Sequence, residues 1–196
     1  MRLTQLYIPL LVILSLLVAL STARVFPLGL DIAFESMSHQ IINAKFMFLL
    51  HITAASLALI FGSIQIIAAV RQRYLNVHRW FGRVYAISVL LAGVSGFLIA
   101  LQIDGIIGTA GFALLATVWL FATVQAVRFA RAHQIQAHRR WVICSFALTF
   151  AAVSLRLQLA IFMFGFAMPY EQVYPFLAWS CWVPNIFFAI WYVRRS

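Results

Sequence analysis

The chain has 196 residues, 65% of them hydrophobic and 9% charged, with a mean hydropathy of +1.00 and a formal net charge of +10. A single soluble core of this length cannot hide so much apolar surface, so the composition excludes a soluble globular protein and indicates a membrane protein. Soluble-enzyme signatures are missing too: there is no glycine-rich phosphate loop after a strand, no spaced zinc cluster and no carboxylate pair within one span.

A span needs roughly 20 mostly apolar residues. Six segments qualify: Leu6 to Leu28, Phe46 to Val70, Trp80 to Ile103, Gly108 to Val127, Trp141 to Met168 and Val173 to Tyr192. The expected fold is all-α, a polytopic bundle of six transmembrane helices forming a single transmembrane domain over residues 1–196, with a four-helix core from spans two to five. The first segment supports two readings, a retained anchor or a cleaved signal. Small residues Ser21, Thr22 and Ala23 follow the apolar run, and apolar character resumes in "VFPLGL".

Span two carries His51, Ala55, Ala58, Gly62 and Gln65 on one helical face, where small residues permit close approach of a neighbouring helix. Span three presents Gly82, Ala86, Val89, Gly93, Gly96 and Ala100 in the same way. The segments "AVRQRYLNVHRWFGRVY" (69–85) and "AVRFARAHQIQAHRRW" (126–141) share the order Ala-Val-Arg, a short polar link, then His-Arg and an aromatic residue. A duplicated hairpin and convergence under the positive-inside rule both account for that order. In span five, steps of three and four residues join His138, Trp141, Ser145, Thr149, Ala152 and Arg156 into one polar stripe, which must face the bundle interior because lipid offers it no hydrogen bonds. Span six has Pro184 next to Asn185, which frees backbone carbonyls in mid-span. Cys144 and Cys181 fall in different halves of the membrane and read as two packed thiols.

Charge orients the chain. Arg71, Arg73, Arg79 and Arg83 flank one loop, Arg128, Arg131, Arg139 and Arg140 another, with Arg2, Arg194 and Arg195 at the termini. The opposite loops hold every acidic residue, Asp31, Glu35, Asp104 and Glu171, against only Arg24 and Lys45. Both termini are therefore expected on the cytoplasmic side of the membrane. Topology accounts for nearly all of the positive charge, so nucleic acid is not an expected partner, and lipid headgroups are.

Arg156 lies fifteen residues past Trp141, which puts it ~22 Å into a ~30 Å hydrocarbon core at ~1.5 Å per residue. His51, ~7.5 Å below the outer surface by the same rise, stands at that level. The two are expected to line one outward polar cavity, with Gln65 on the same face nearer the inner side and either a neutral imidazole or a shared anion between them. The alternative is that Arg156 snorkels outward, although helical side chains lean toward their N-terminus, which here is inward.

The ordered set of His51, Gly62 and Gln65, then "HRWFGRVY", "HRRW", "LTFAAVSLRL" and "CWVPN" with Asn185, resembles a bacterial membrane family catalogued as domain of unknown function 2306. The resemblance runs from about His51 to Asn185 and implies the architecture, with no activity attached. The chain departs from the family pattern at Val142 and Cys144, where that pattern carries Met and Arg.

Of three function classes, membrane redox through quinone, with b-type haem as its further form, is the expected one, and transport or sensing and a structural role are the alternatives. A membrane redox component would bind quinone at His51 with Arg156, or at His138 with Trp141 and Tyr85, and b-type haem through His78 and His138. A transport or sensing protein would use the His51/Arg156 cavity for a small anion or a proton, with Asn185 at the span-six break. A structural or assembly subunit would use Ser145, Thr149 and Asn185 only as interhelical hydrogen bonds. The basic rim of His78, Arg79, Arg83, His138, Arg139 and Arg140 lines the inner boundary, and no metal site is expected beyond the two haem-ligand candidates.

Overall fold

A computed structural model describes residues 4–29, 32 and 38–195. Arg2, Asp31 and Glu35, used above for orientation, lie outside the described residues, as does the side chain of His39. Six helices are long and apolar enough to cross a membrane: Tyr7–Leu28, Ala44–Gln65, Leu75–Ala100, Ile106–Arg131, Ile135–Gly165 and Tyr170–Arg195, hereafter spans one to six. Most begin or end about a turn away from the purely apolar segments, because a helix continues through the interface once its backbone ladder is running. Span two is the exception and stops at Gln65 rather than near Val70. Ile67 takes an extended conformation (φ −70°, ψ 117°), and Ala68–Arg73 form a separate short helix in the loop.

Spans two to five make the core, as their small-residue faces require. Span three packs on span two and on span four, and span five closes the ring against spans four and two. Ala58, Val89, Ala92 and Ala122 are essentially inaccessible, with Leu148 and Ala151 beside them. Span one lies along spans two and five, and span six along spans four and five. The outward faces are apolar, from Leu20 on span one to Phe187 and Phe188 on span six, as a lipid solvent demands.

Spans five and six are both interrupted. Span five consists of Ile135–Thr149 and Ala151–Ala160, then a π-helical turn over Ile161–Gly165. Span six consists of Tyr170–Ser180 and Val183–Arg195. Pro184 has no N–H to offer the Ser180 carbonyl one turn back, and Gln158 Nε2 on span five donates to that carbonyl instead (3.2 Å) while Ser180 Oγ donates to Gln158 Oε1 (2.6 Å). The Trp182 N–H turns to Trp179 O, and its indole Nε1 supplies Ala178 O (2.8 Å). Asn185 Nδ2 donates to Ala147 O and Ser154 Oγ, one on each side of the span-five interruption (3.3 and 3.0 Å). The two interruptions therefore lie at one level.

The turn between spans four and five ends in a Schellman arrangement, Gln134 N–H to Phe129 O and His133 N–H to Ala130 O, with His133 in the left-handed region (φ 57°). His133 is thus a helix-ending residue with an exposed side chain. Cys144 and Cys181 are free thiols.

Glycine brings spans four and six into backbone contact. A Cβ on Gly111 of span four would stand 2.8 Å from the Ala178 carbonyl oxygen and 2.9 Å from Trp179 Nε1 on span six. Gly111→Ala is expected to cost about 1–3 kcal/mol by forcing those backbones apart. Gly165→Ala, with nothing within 4 Å, should be silent. Thermal unfolding of the two variants in detergent checks the contrast; equal midpoints would refute the packing argument.

Candidate functional site

The buried centre of the core is a hydrogen-bonded cluster from spans three, four and five. Tyr85 Oη lies 2.7 Å from Ser145 Oγ and 2.8 Å from Thr149 Oγ1, Trp119 Nε1 donates to Thr149 Oγ1 (2.9 Å), and Thr123 Oγ1 lies 2.7 Å from Ser145 Oγ. The Thr149 and Thr123 hydroxyls also reach Ser145 O and Trp119 O. Every hydroxyl and indole proton has an acceptor inside the cluster. Gly62 makes room for it: a Cβ there would fall 2.8 Å from Tyr85 Cε2. Ser145 and Thr149 are the middle of the polar stripe read from span five, and they do face inward. Tyr85 is engaged here. Trp141 packs edge-on against Phe121 (centroids 5.5 Å, 84°).

His51 and Arg156 stand near one another in the same half of the bundle, but they have different hydrogen-bond partners. His51 Nδ1 bonds to Ala92 O on span three (2.8 Å), and its ring fills the space a Cβ on Gly96 would need, 2.8 Å from Cε1. Gly96 had no role beyond packing in the sequence; its missing side chain is what seats the imidazole. Arg156 leans back along its helix, as expected, with Nη1 donating to Ala152 O (3.0 Å), and it reaches span one, Nη2 donating to Thr22 Oγ1 (3.0 Å). The cavity at Arg156 is a recess of about 220 Å³ lined by Ser21, Thr22, Arg24 and Arg156. Span one takes the place at Arg156 that the sequence assigned to His51, which is not among the lining residues. Ser21 and Thr22 give their own protons to Val18 O, so the guanidinium groups are the donors of the recess.

At the arginine-rich end, Gln65 Nε2 donates to His78 O (2.7 Å) and rests over Gly82. Gln65 Oε1 and His78 Nδ1 are both buried with no hydrogen-bond partner. His138 stands near His78, and its Nδ1 lies 2.8 Å from Ala126 O. Arg79, Arg83, Arg139 and Arg140 are exposed around them. Asn185 stays with the span-five interruption, away from both histidines. Among the described residues no three His, Cys, Asp or Glu side chains come together to hold a metal ion.

The chain belongs to the family described as "Predicted membrane protein (DUF2306)", which matches residues 48–193 and so covers the four-helix core and span six. Comparison with curated proteins and with solved structures finds no match.

The central cluster is the firmest prediction of the site. Thr149→Val removes the acceptor of the Trp119 indole and a partner of Tyr85, and should cost about 1–3 kcal/mol. Thr117→Val, whose hydroxyl bonds only its own helix at an exposed position, should be close to neutral. Unfolding in detergent with added denaturant measures both, and an equal effect would sink the network reading.

Proposed function

We propose that the protein recognises a small acidic, membrane-soluble ligand at Arg156, as in transport or sensing, in preference to electron transfer. One observation carries this reading. Arginine has five N–H donors, and among the described residues Arg156 makes two hydrogen bonds, both with neutral oxygens. Among the described residues no carboxylate pairs with it. A charge costs roughly 2.5–3.5 kcal/mol at the membrane centre on insertion scales and less toward the interface, and a carboxylate or phosphate head would compensate it where a neutral quinone carbonyl would not. The exposed apolar residues flanking the recess, Leu20 on span one and Leu157 on span five, suit the tail of an amphiphile.

An orientation accompanies the proposal. The exposed arginines Arg71, Arg73, Arg79, Arg83, Arg128, Arg131, Arg139 and Arg140 support cytoplasmic termini in a bacterial inner membrane, with the recess toward the outside.

A second reading, redox, is favoured by the orphaned atoms at the other end. An imidazole whose Nδ1–H is held by a carbonyl presents Nε2 as a lone pair, the arrangement in which histidines bind haem iron or meet a quinone. His138 has that carbonyl in Ala126, and Gln65, which bonds the His78 backbone carbonyl through Nε2, has an unused acceptor in Oε1 while His78 has an unused Nδ1.

Purified protein titrated with dodecanoate or dodecyl phosphate should gain thermal stability that neutral dodecanol does not confer, and Arg156→Gln should weaken binding about 10- to 100-fold. An equal response to dodecanol, or an unaffected variant, removes the acidic-ligand reading. A reduced-minus-oxidised visible spectrum decides the second: a b-type band lost in His138→Ala establishes haem, and a flat spectrum with no quinone in the lipid extract eliminates redox.

A further inference from the structure

We infer that the groove between spans three and four is a binding site for an anionic phospholipid of the arginine-rich leaflet. It shares no residue with the Arg156 recess and stands apart from that reading. The groove holds about 410 Å³ and is walled by Ala86 and Leu90 of span three and Val124 and Val127 of span four, with Arg128 and Arg131 at one end.

Its shape follows from one glycine. At Gly93 the two spans touch so closely that a Cβ would lie 2.6 Å from Leu120 Cγ and Cδ2. From that contact toward the arginines the small side chain of Ala86 leaves the seam unfilled. Leu120 to Arg131 is eleven residues, ~16 Å at ~1.5 Å per residue, or about half of a ~30 Å hydrocarbon core. That is the reach of one acyl chain within one leaflet. A transmembrane helix of another protein, at least ~10 Å wide with its side chains, requires a longer and broader face.

The arginine end supplies the head-group chemistry. Arg128 and Arg131 are three apart on one helical face, both exposed, and among the described residues neither has an acidic partner. A lipid phosphate at the interface meets both guanidinium groups while its chain lies in the groove. Basic pockets between transmembrane helices recognise anionic lipid heads in this way. The commitment is to a glycerophospholipid with net negative charge, because a zwitterionic head offers the same phosphate but adds a cation beside the two arginines.

The test uses the full chain, purified in detergent, stripped of lipid and titrated by native mass spectrometry with phosphatidylglycerol and phosphatidylcholine of identical acyl chains. Wild type should prefer phosphatidylglycerol on the order of 10- to 30-fold. Arg128→Gln with Arg131→Gln should bring the two lipids near parity, whereas Arg139→Gln with Arg140→Gln should leave the preference intact. Ala86→Phe, which fills the groove, should reduce retention of both lipids. Parity in the wild type, an unchanged preference in the first pair, or an equal loss in the second pair overturns the site, the last because it would mean the whole rim acts as one diffuse charge. Should Ala86→Phe fail to fold, the exposed arginine pairs decide the matter alone.

Discussion

Hydrocarbon accepts and donates no hydrogen bonds, and the polar content of this bundle is arranged around that constraint. Where Pro184 strips a donor from the helical ladder, Gln158 reaches across from span five to replace it, and the indole of Trp182 serves the carbonyl its own backbone has left. Where hydroxyls and an indole are buried at the centre, they bond one another across three helices. Groups that in water would lean on solvent here lean on neighbouring helices, so the constraint that forces helices also fixes which helices are neighbours.

The exceptions gain meaning against that background. Spare donors on Arg156, and the unmatched Gln65 Oε1 and His78 Nδ1, lie at opposite ends of the bundle, and among the described residues Ser15 Oγ of span one is the one other buried side-chain atom without a hydrogen-bond partner. One end is a positively charged recess between spans one and five. The other is a pair of imidazoles beneath a ring of arginines. The first suits charge compensation and the second suits ligation or a bridging molecule, which is why they support different functions.

Much of the architecture is legible in the residues. Hydropathy alone delimits six spans, and the faces of Ala58 with Gly62 and of Val89 with Gly93 mark the helices that must approach each other. The stripe through Ser145 and Thr149 reveals the interior side of span five, since no other environment satisfies it. The site is harder to read. Depth along a helix places His51 level with Arg156, but depth does not say which of several neighbouring helices a side chain meets, and span one proved to be the neighbour of Arg156. Nor does sequence spacing distinguish a glycine that brings two backbones together from one that accommodates a ring, the difference between Gly111 and Gly96. The interruption in span five at Phe150 has no proline to announce it. Only its alignment with the break beside Pro184 shows that the two belong together.

That alignment has a mechanical consequence. A continuous helix is stiff because each turn is tied to the next by its backbone ladder, and spans five and six lose that continuity at one depth. In a plane crossed by Asn185 and Gln158, side-chain bonds between the two spans replace part of that ladder. The half of span five that carries Arg156 is tied to span one and to the first half of span six, while the other half belongs with the second half of span six. Each half of span five is thereby coupled to its own half of span six, and the two couplings meet at the Asn185 bonds.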